Sequence, residues 1–403
     1  MLKKINSVGL NVKQVRLHNR KVIMTLLYKN KAMRKSQLAN AAKLTIPAIS
    51  KIIAELLSEG LIAHKMNDKP IRGNSDGIYT IADKPYDILC LSVTPTRLAG
   101  IVVDGHINQK FEPSYWTIIP STGAELVGEI VLFYQQQYKQ NQQRSLKLVM
   151  GIHGQVDTHT GTSLHMPQAP WHEAIEFKYL LESRLNTEVI LDNDCVMLAL
   201  AEKWLSLQAP NDFCVMNIDY GIGSSFIIND EIYRGKQFGS GQIGHTIVTP
   251  DGKKCGCGRY GCLETIASSE AMLTDIRSLV KHSVNQQQEL DLDALTFHDC
   301  VHLYHQQDSR AVNVAERAAR IIGISLYNFL LTLNINQIII YGNTTRLGTV
   351  WLNKITEQMC LNPFENPNNL YNQRMLVKFG QLSDIERLMG IGFLLVEQEL
   401  EAG

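Results

Sequence analysis

The chain has 403 residues, 45% hydrophobic and 19% charged, with 39 Lys+Arg against 39 Asp+Glu. These proportions suit a soluble globular protein of two or three domains and exclude a fibrous, collagen-like or wholly disordered chain. The zero net charge hides a division: residues 1–80 carry 15 Lys/Arg and 4 Asp/Glu, a net +11, and the remainder carries −11. A basic block ahead of an acidic body points to a separate polyanion-binding domain.

Residues 11–30 place Val15, Ile23, Leu26 and Leu27 at helical spacing. A second short helix fits Lys35 to Lys43, with Ser36 as its cap and Leu38 and Ala42 facing inward. The third helix follows in residues 44–62. Thr45 can cap it, Pro47 sits in its first turn, and Ile49, Ile52, Ile53, Leu56 and Leu57 form its buried face before Gly60 stops it. Leu61–Ile81 then reads as two extended runs around a Gly/Asn/Ser/Asp-rich turn. Together these make a winged helix-turn-helix over residues 1–82. Thr45, Ser50 and Lys51, near the start of the third helix, are the candidates for reaching major-groove edges and phosphates. Lys69 and Arg72, at the wing tip, are candidates for the minor groove or phosphates. The bland alternative is a helical docking module with a solvated basic face.

From Asp87 onward strands alternate with helices, which predicts an α/β body. Strands are expected at Ile88–Val93, Leu98–Val103, Leu146–Ile152, Val189–Leu191, Phe213–Ile218, Ile222–Ile228 and Gln337–Tyr341. Helices are expected at Gly123–Gln137, Leu263–His282 and Ala311–Leu333. Gln286–Asp293 reads as a loop. The run Ile385–Leu400 is amphipathic and reads as a core helix or an oligomer contact. The longest apolar stretch, Ile321–Ile335, is shorter than the ~20 residues of a span and is broken by Gly323, Asn328 and Asn334. Lys3 and Lys4 are followed too soon by further charges for a signal-peptide core. The chain is therefore expected to be cytoplasmic, without membrane insertion.

Eight cysteines are present, and three of them cluster. His245, Cys255, Cys257 and Cys262 fall within 18 positions. In a reducing compartment such a cluster favours metal over disulfide. Three thiolates and one imidazole fill a tetrahedral zinc shell with no place left for water, so the zinc is expected to be structural. Gly256, Gly258 and Gly261 are expected to let the backbone wrap the ion. The alternative is a set of unligated buried cysteines beside a core histidine.

The segment Gly241–Ser268, GQIGHTIVTPDGKKCGCGRYGCLETIAS, resembles the ROK family (repressors, open reading frames and sugar kinases). With the winged helix ahead of it, the chain is similar to the family's NagC/Mlc-like repressor branch. The resemblance implies a two-lobed, actin-like (ribonuclease H-like) body with sugar bound between the lobes and a zinc loop shaping the pocket. One lobe would span 83–195, with the C-terminal helix 385–403 packing on it, and the other 196–384. The resemblance also implies palindromic double-stranded operator DNA, a homodimer or homotetramer, and a sugar or sugar-phosphate effector. Some family members answer instead to a transporter domain.

Position by position, Asn193 and Asp194 match the family's Asn-Asp pair, whose aspartate is the base in the kinases. Gln242 stands where Glu is usual, His245 matches the histidine that binds zinc and faces the sugar, and Glu264 matches the glutamate contacting ring hydroxyls. Gly151 and Gly154 match the glycine-bearing sugar loop, with His153 where Pro is usual.

The kinases' first phosphate loop here reads Ser92-Val93-Thr94-Pro95-Thr96. It lacks the metal-binding Asp and both glycines, and Pro95 removes an N–H. The second reads Asp219-Tyr220-Gly221-Ile222-Gly223, where Asp219 repels phosphate and the two glycines suit a hairpin. The adenosine-side Gly-Gly reads Gly342-Asn343. The expectation is a sugar-responsive repressor without enzyme activity. The alternatives are a ROK sugar kinase fused to a DNA-binding domain and a regulator controlled by a protein partner.

Overall fold

The computed structural model describes residues 12–65, 77–206, 209–236, 239–283, 294–333, 335, 337–359 and 376–402. Val12–Asn30, Lys35–Ala42 and Ile46–Ser58 are helices. Ile23 and Leu27 of the first are fully buried, but Val15 lies in solvent, one turn beyond the packed stripe. Ser36 is inside the second helix and does not cap it. The start is held instead by Gln37, whose Oε1 accepts the Arg34 N–H at 2.8 Å. Thr45 caps the third helix, its Oγ1 accepting the Ala48 N–H at 3.4 Å. Ile49, Ile52, Ile53 and Leu56 are buried, whereas Leu57 falls on the outer edge and is exposed. Beyond the helix, Gly60 takes φ +68° with open space around it.

Ile62–Lys65 and Ile78–Ile81 pair antiparallel, Ile62 opposite Ile81. A third strand, Ala32–Arg34, pairs with Ile78–Ile81 and completes a small sheet that periodicity does not reveal in so short a run. Lys69 and Arg72 lie outside the described residues, as does the expected loop Gln286–Asp293.

The body holds two five-stranded sheets built on the same plan. In the first, Asp87–Thr94 is central, flanked on one side by the antiparallel strands Arg97–Asp104 and Ser114–Thr117. On its other side lie the parallel strands Leu146–Ile152 and Val189–Asn193. In the second, Phe213–Ile218 is central, with antiparallel Ile222–Ile228 and Glu231–Ile232 on one side. Parallel Gln337–Tyr341 and Leu376–Phe379 lie on the other. The central strands are near-continuous apolar runs because both faces are covered. Gly123–Gln140 and Phe177–Leu185 pack together beside the first sheet, and Ser309–Leu333, Phe297–His305 and Gly348–Glu357 pack with the second.

Asp194–Leu205 packs against strands of both sheets. Its residues from Cys195 to Trp204 are all buried; those from Cys195 to Ala201 are apolar on every side, as an interior helix requires, and the buried charges of Glu202 and Lys203 are met by Tyr341 and Glu397. The run predicted as one helix from Leu263 to His282 is two, Glu264–Ala267 and Ser269–Ser283. Ser268 turns extended, and the Ser269 N–H bonds the Asp219 carbonyl at 2.8 Å instead of continuing the helix. The run Ile385–Leu400 likewise divides into Asp384–Gly390 and Phe393–Ala402. Phe393–Ala402 is more deeply buried than an amphipathic stripe implies, whereas Asp384–Gly390 buries only Leu388 and Gly390, and the two pack on Asp194–Leu205, Asp87–Thr94 and Arg97–Asp104.

Candidate functional site: a cleft between the two sheets beside a cysteine cluster

Parallel strands bind ligands at their carboxyl ends. Here those ends come from both sheets: His153 and Gly154 follow Leu146–Ile152, Asn193 closes Val189–Asn193, Asp219 follows Phe213–Ile218, and Gly342-Asn343 follows Gln337–Tyr341. A Cβ on Gly342, at φ +100°, would stand 2.2 Å from the Ile218 carbonyl, so only glycine fits. Asn343 Nδ2 then donates to Asp219 Oδ1 at 2.7 Å.

Asn193 is structurally occupied on both sides. Its Oδ1 accepts the Cys195 N–H at 2.8 Å, capping Asp194–Leu205, and its Nδ2 donates to the Gly154 carbonyl. Asp194 follows at the helix start and is about a quarter exposed. Its Oδ2 lies 2.9 Å from His153 Nδ1. Burial opposes charge on His153, but the hydrogen bond to Asp194 and the charges of Asp194, Asp219 and Glu264 outweigh it and raise its pKa above the ordinary 6.5. One cavity is lined by Gly154, Asp192, Asn193, Arg234, Ser240 and Gln242. The structure therefore brings Gln242 to Asn193, and His153, Asp194 and Glu264 within each other's fields.

Two contacts here escaped the sequence. Arg234 reaches the buried Asp192, its Nε and Nη2 lying 3.0 and 2.8 Å from Oδ2. Burial raises the Asp192 pKa while Arg234 pulls against it. The second is the bond from His153 to Asp194. The partners stand 42 and 41 positions apart, beyond any local pattern; only the departure of His153 from the family's proline marks the position.

The cysteine cluster is tightly drawn. Ligand atoms of His245, Cys255, Cys257 and Cys262 all lie within 4.8 Å of one another. Cys257 Sγ and Cys262 Sγ are 3.7 Å apart, and Cys255 Sγ is 3.5 Å from His245 Nδ1. Two thiolates each about 2.3 Å from a tetrahedral zinc stand about 3.8 Å apart, so the donor set fits that ion. Gly261, at φ +70°, would place a Cβ 1.5 Å from the Thr249 carbonyl, and Gly258 takes φ +87°. Gly256 has neither a positive φ nor a close neighbour, so the wrapping role expected of it is not needed. Glu264 ties cluster to cleft: its Oε1 lies 2.9 Å from Cys255 Sγ and 3.4 Å from His245 Nδ1.

In the N-terminal module, Thr45 and Lys51 are exposed and Ser50 is half-buried on the outer side of the third helix. The Thr45 hydroxyl is already engaged as the cap. The first helix docks on the body. Tyr28 meets Trp204 edge-on at 6.1 Å and bonds Glu399 at 3.0 Å, and Lys21 Nζ lies 3.0 Å from Glu231 Oε1. Among the described residues, no helix is long and apolar enough to cross a membrane.

Known proteins share this organisation. The uncharacterized protein YphH of Escherichia coli (strain K12) is 45% identical over 97% of this chain and 98% of its own length. The DNA-binding transcriptional dual regulator NagC of the same strain is 26% identical over 87% of this chain and 86% of its own. A ROK family transcriptional regulator described as a homologue of E. coli MLC has the same fold, with a TM-score of 0.76 at 19% identity, covering 96% of this chain and all of its own. A ROK glucokinase from Streptomyces griseus, solved with glucose and AMPPNP, aligns with a TM-score of 0.63 at 22% identity over 76% of this chain and 98% of its own. The ROK family profile matches residues 88–393, which takes in both sheets, the cleft and the cysteine cluster, and so this chain belongs to the ROK family.

Proposed function

We propose that this protein is a sugar-responsive transcriptional regulator, a repressor that binds operator DNA and is released by a sugar bound in the cleft. The observation that carries the reading is the coexistence of two parts. One is a helical module presenting Lys51 beside an exposed helix start. The other is a cleft where Asp194, Glu264 and Gln242 offer paired acceptors and donors suited to neighbouring hydroxyls. Relatives named as sugar repressors support it.

In this reading residues 1–82 form a winged helix-turn-helix. Thr45, Ser50 and Lys51 meet DNA from the third helix, with Lys69 and Arg72 doing so from the wing. Two copies would place these modules on half-sites about one helical turn apart. His245, Cys255, Cys257 and Cys262 would hold zinc, which supplies structural cross-linking of the loop. Cys255 now donates its thiol proton to Glu264; as a thiolate ligand it would have no proton to donate, and the Glu264 carboxylate would be left for ligand hydroxyls.

Release requires the sugar to favour one state over another, since affinity alone shifts nothing. A short covalent path is available for that bias. Arg234 grips Asp192 in the cleft, and Glu231, three residues earlier on the same strand and turn, grips Lys21 of the first helix.

A kinase is the poorer reading. Thr94–Arg97 is a tight hairpin whose Thr94 hydroxyl bonds the Arg97 carbonyl, and Asp219 presents a carboxylate where the kinases cradle phosphate. Asp194 is already engaged by His153. A gel-shift titration with sugars, run beside an ATP-dependent phosphorylation assay, tests both readings. Expected are release of operator by a sugar and no phosphate transfer. Asp194→Ala or Glu264→Ala should bind operator normally but need about ten- to hundredfold more sugar, since each removes charge-assisted hydrogen bonds. Release of Asp194→Ala at the wild-type concentration contradicts the assignment.

A further inference from the structure

The charges in the cleft are unevenly spent. Four carboxylates, Asp192, Asp194, Asp219 and Glu264, gather around the strand ends, drawn from both sheets and from the helix after the cysteine cluster. Two basic groups stand among them, Arg234 in the cavity wall and His153 beside it, and both are committed. Arg234 holds Asp192 through two nitrogens at 3.0 and 2.8 Å, and His153 Nδ1 sits 2.9 Å from Asp194 Oδ2. The groups whose charges act most strongly on His153 are all carboxylates. Its other nitrogen, Nε2, is buried with no hydrogen-bond partner. Such an atom is costly to leave unpaired. The ring is held where three elements meet: His153 N–H bonds the Val93 carbonyl, Asp194 opens the shared helix, and Glu264 stands across from it.

We propose that the cleft selects an uncharged sugar, bearing neither phosphate nor carboxylate, and that His153 helps to read it by pairing Nε2 with a ligand hydroxyl while Asp194 holds Nδ1. This inference rests on the sugar-site reading above and names the class of sugar. A phosphate ester entering this space meets four carboxylates. To recruit a cation it must break the pair on the buried Asp192, which strands that carboxylate away from water and is strongly unfavourable, or give up the His153 bond of Asp194. A hydroxyl has no such cost, because it satisfies the orphaned ring nitrogen and the remaining carboxylate lone pairs together. A proline at this position has no side-chain nitrogen to offer.

The test is calorimetry and thermal shift on the full-length, zinc-loaded protein. The ligands are a panel of free aldohexoses and aldopentoses with the matching terminal phosphate esters and uronic acids. Expected is binding by at least one free sugar, with the matching ester and uronate weaker by about tenfold or more. His153→Phe, which keeps a ring but no nitrogen, should weaken that sugar by about tenfold or more, while His153→Gln, which keeps a polar group, should recover part of the loss. If His153→Phe does not fold, the comparison of His153→Gln with wild type carries the measurement, and unchanged affinity there removes the role of His153. A phosphate ester or uronate that binds as tightly as the free sugar overturns the charge argument while leaving the sugar site standing. A protein that no sugar of either kind stabilises overturns the sugar site, and this inference with it.

Discussion

Cys257 is the exposed member of the cysteine cluster, and its sulfur stands 3.7 Å from that of Cys262. If the four groups hold zinc, the energy of ligation is part of the folding energy. Cys257→Ser or prolonged chelation should then release about one zinc per chain, lower the melting temperature and blunt the sugar response, because Glu264 falls back onto the Cys255 thiol. Elemental analysis on protein purified without chelator checks it; metal-free protein of undiminished stability would sink the assignment. This cluster was the most legible part of the site, because four ligands within 18 positions leave a local signature. The pairs Asp192–Arg234 and His153–Asp194 left none, since the topology brings their partners together from distant segments. Asn193 is a third case: the sequence points to it as a cleft residue, but its amide is spent on Cys195 and Gly154 through contacts that no local pattern reveals.

Among the elements, the strands buried on both faces are legible almost residue for residue, as at Leu146–Ile152 and Phe213–Ile218, because their apolar runs are near-continuous, each interrupted by a single polar residue, Lys147 or Asn217. Short edge strands such as Ala32–Arg34 were missed. So was the break at Ser268, which a tertiary hydrogen bond to Asp219 imposes on a helical pattern. Two predictions belong at this scale. Lys51 is an exposed residue of the third helix; Lys51→Ala should weaken operator binding and, for a phosphate contact, reduce the salt slope by about one. An unchanged slope in salt-titrated binding would remove it from the interface.

The second concerns Glu399 on the last helix, which accepts from Tyr28, Lys84 and Tyr86. Burial works against its charge, but those donors prevail and hold its pKa below the ordinary 4.5. A carboxylate with a depressed folded pKa stabilises the protein above its ordinary value, and that stability fades as pH falls through the folded one. Acidification below about pH 4.5 should therefore loosen the first helix from the body. In Glu399→Gln that acid-dependent step should be reduced, as read by hydrogen exchange at residues 23–28.

At the scale of the whole molecule, the N-terminal module and the body share one apolar core, in which Leu27, Trp204 and Phe393 all take part. The module is thus docked rather than tethered, and its position can report on the cleft. Lys21–Glu231 is partly exposed, with side chains 25% and 70% accessible, so its contribution to stability is small. Glu231→Ala should accordingly leave the melting temperature nearly unchanged. It should, however, reduce the factor by which sugar weakens operator binding, and by reciprocity the factor by which operator weakens sugar binding. Paired titrations, each ligand measured with and without the other, check this; coupling equal to wild type in Glu231→Ala would rule out that route.

The helices Asp384–Gly390 and Phe393–Ala402 close over strands laid down some three hundred positions earlier, and Glu399 reaches back to Tyr28 across a separation of 371. On the ribosome this has an order to it. The first sheet, Asp194–Leu205 and the N-terminal helices all emerge long before the segment that covers Cys90, Ile101 and Trp204. Until that segment arrives, the nascent chain displays an apolar face at the place where its N-terminal helices must settle. A product cut short after residue 383 would keep every cleft and cysteine ligand named above, yet it would present that face permanently. Messages interrupted near their end would then yield aggregating chains rather than regulators that bind DNA but cannot be released.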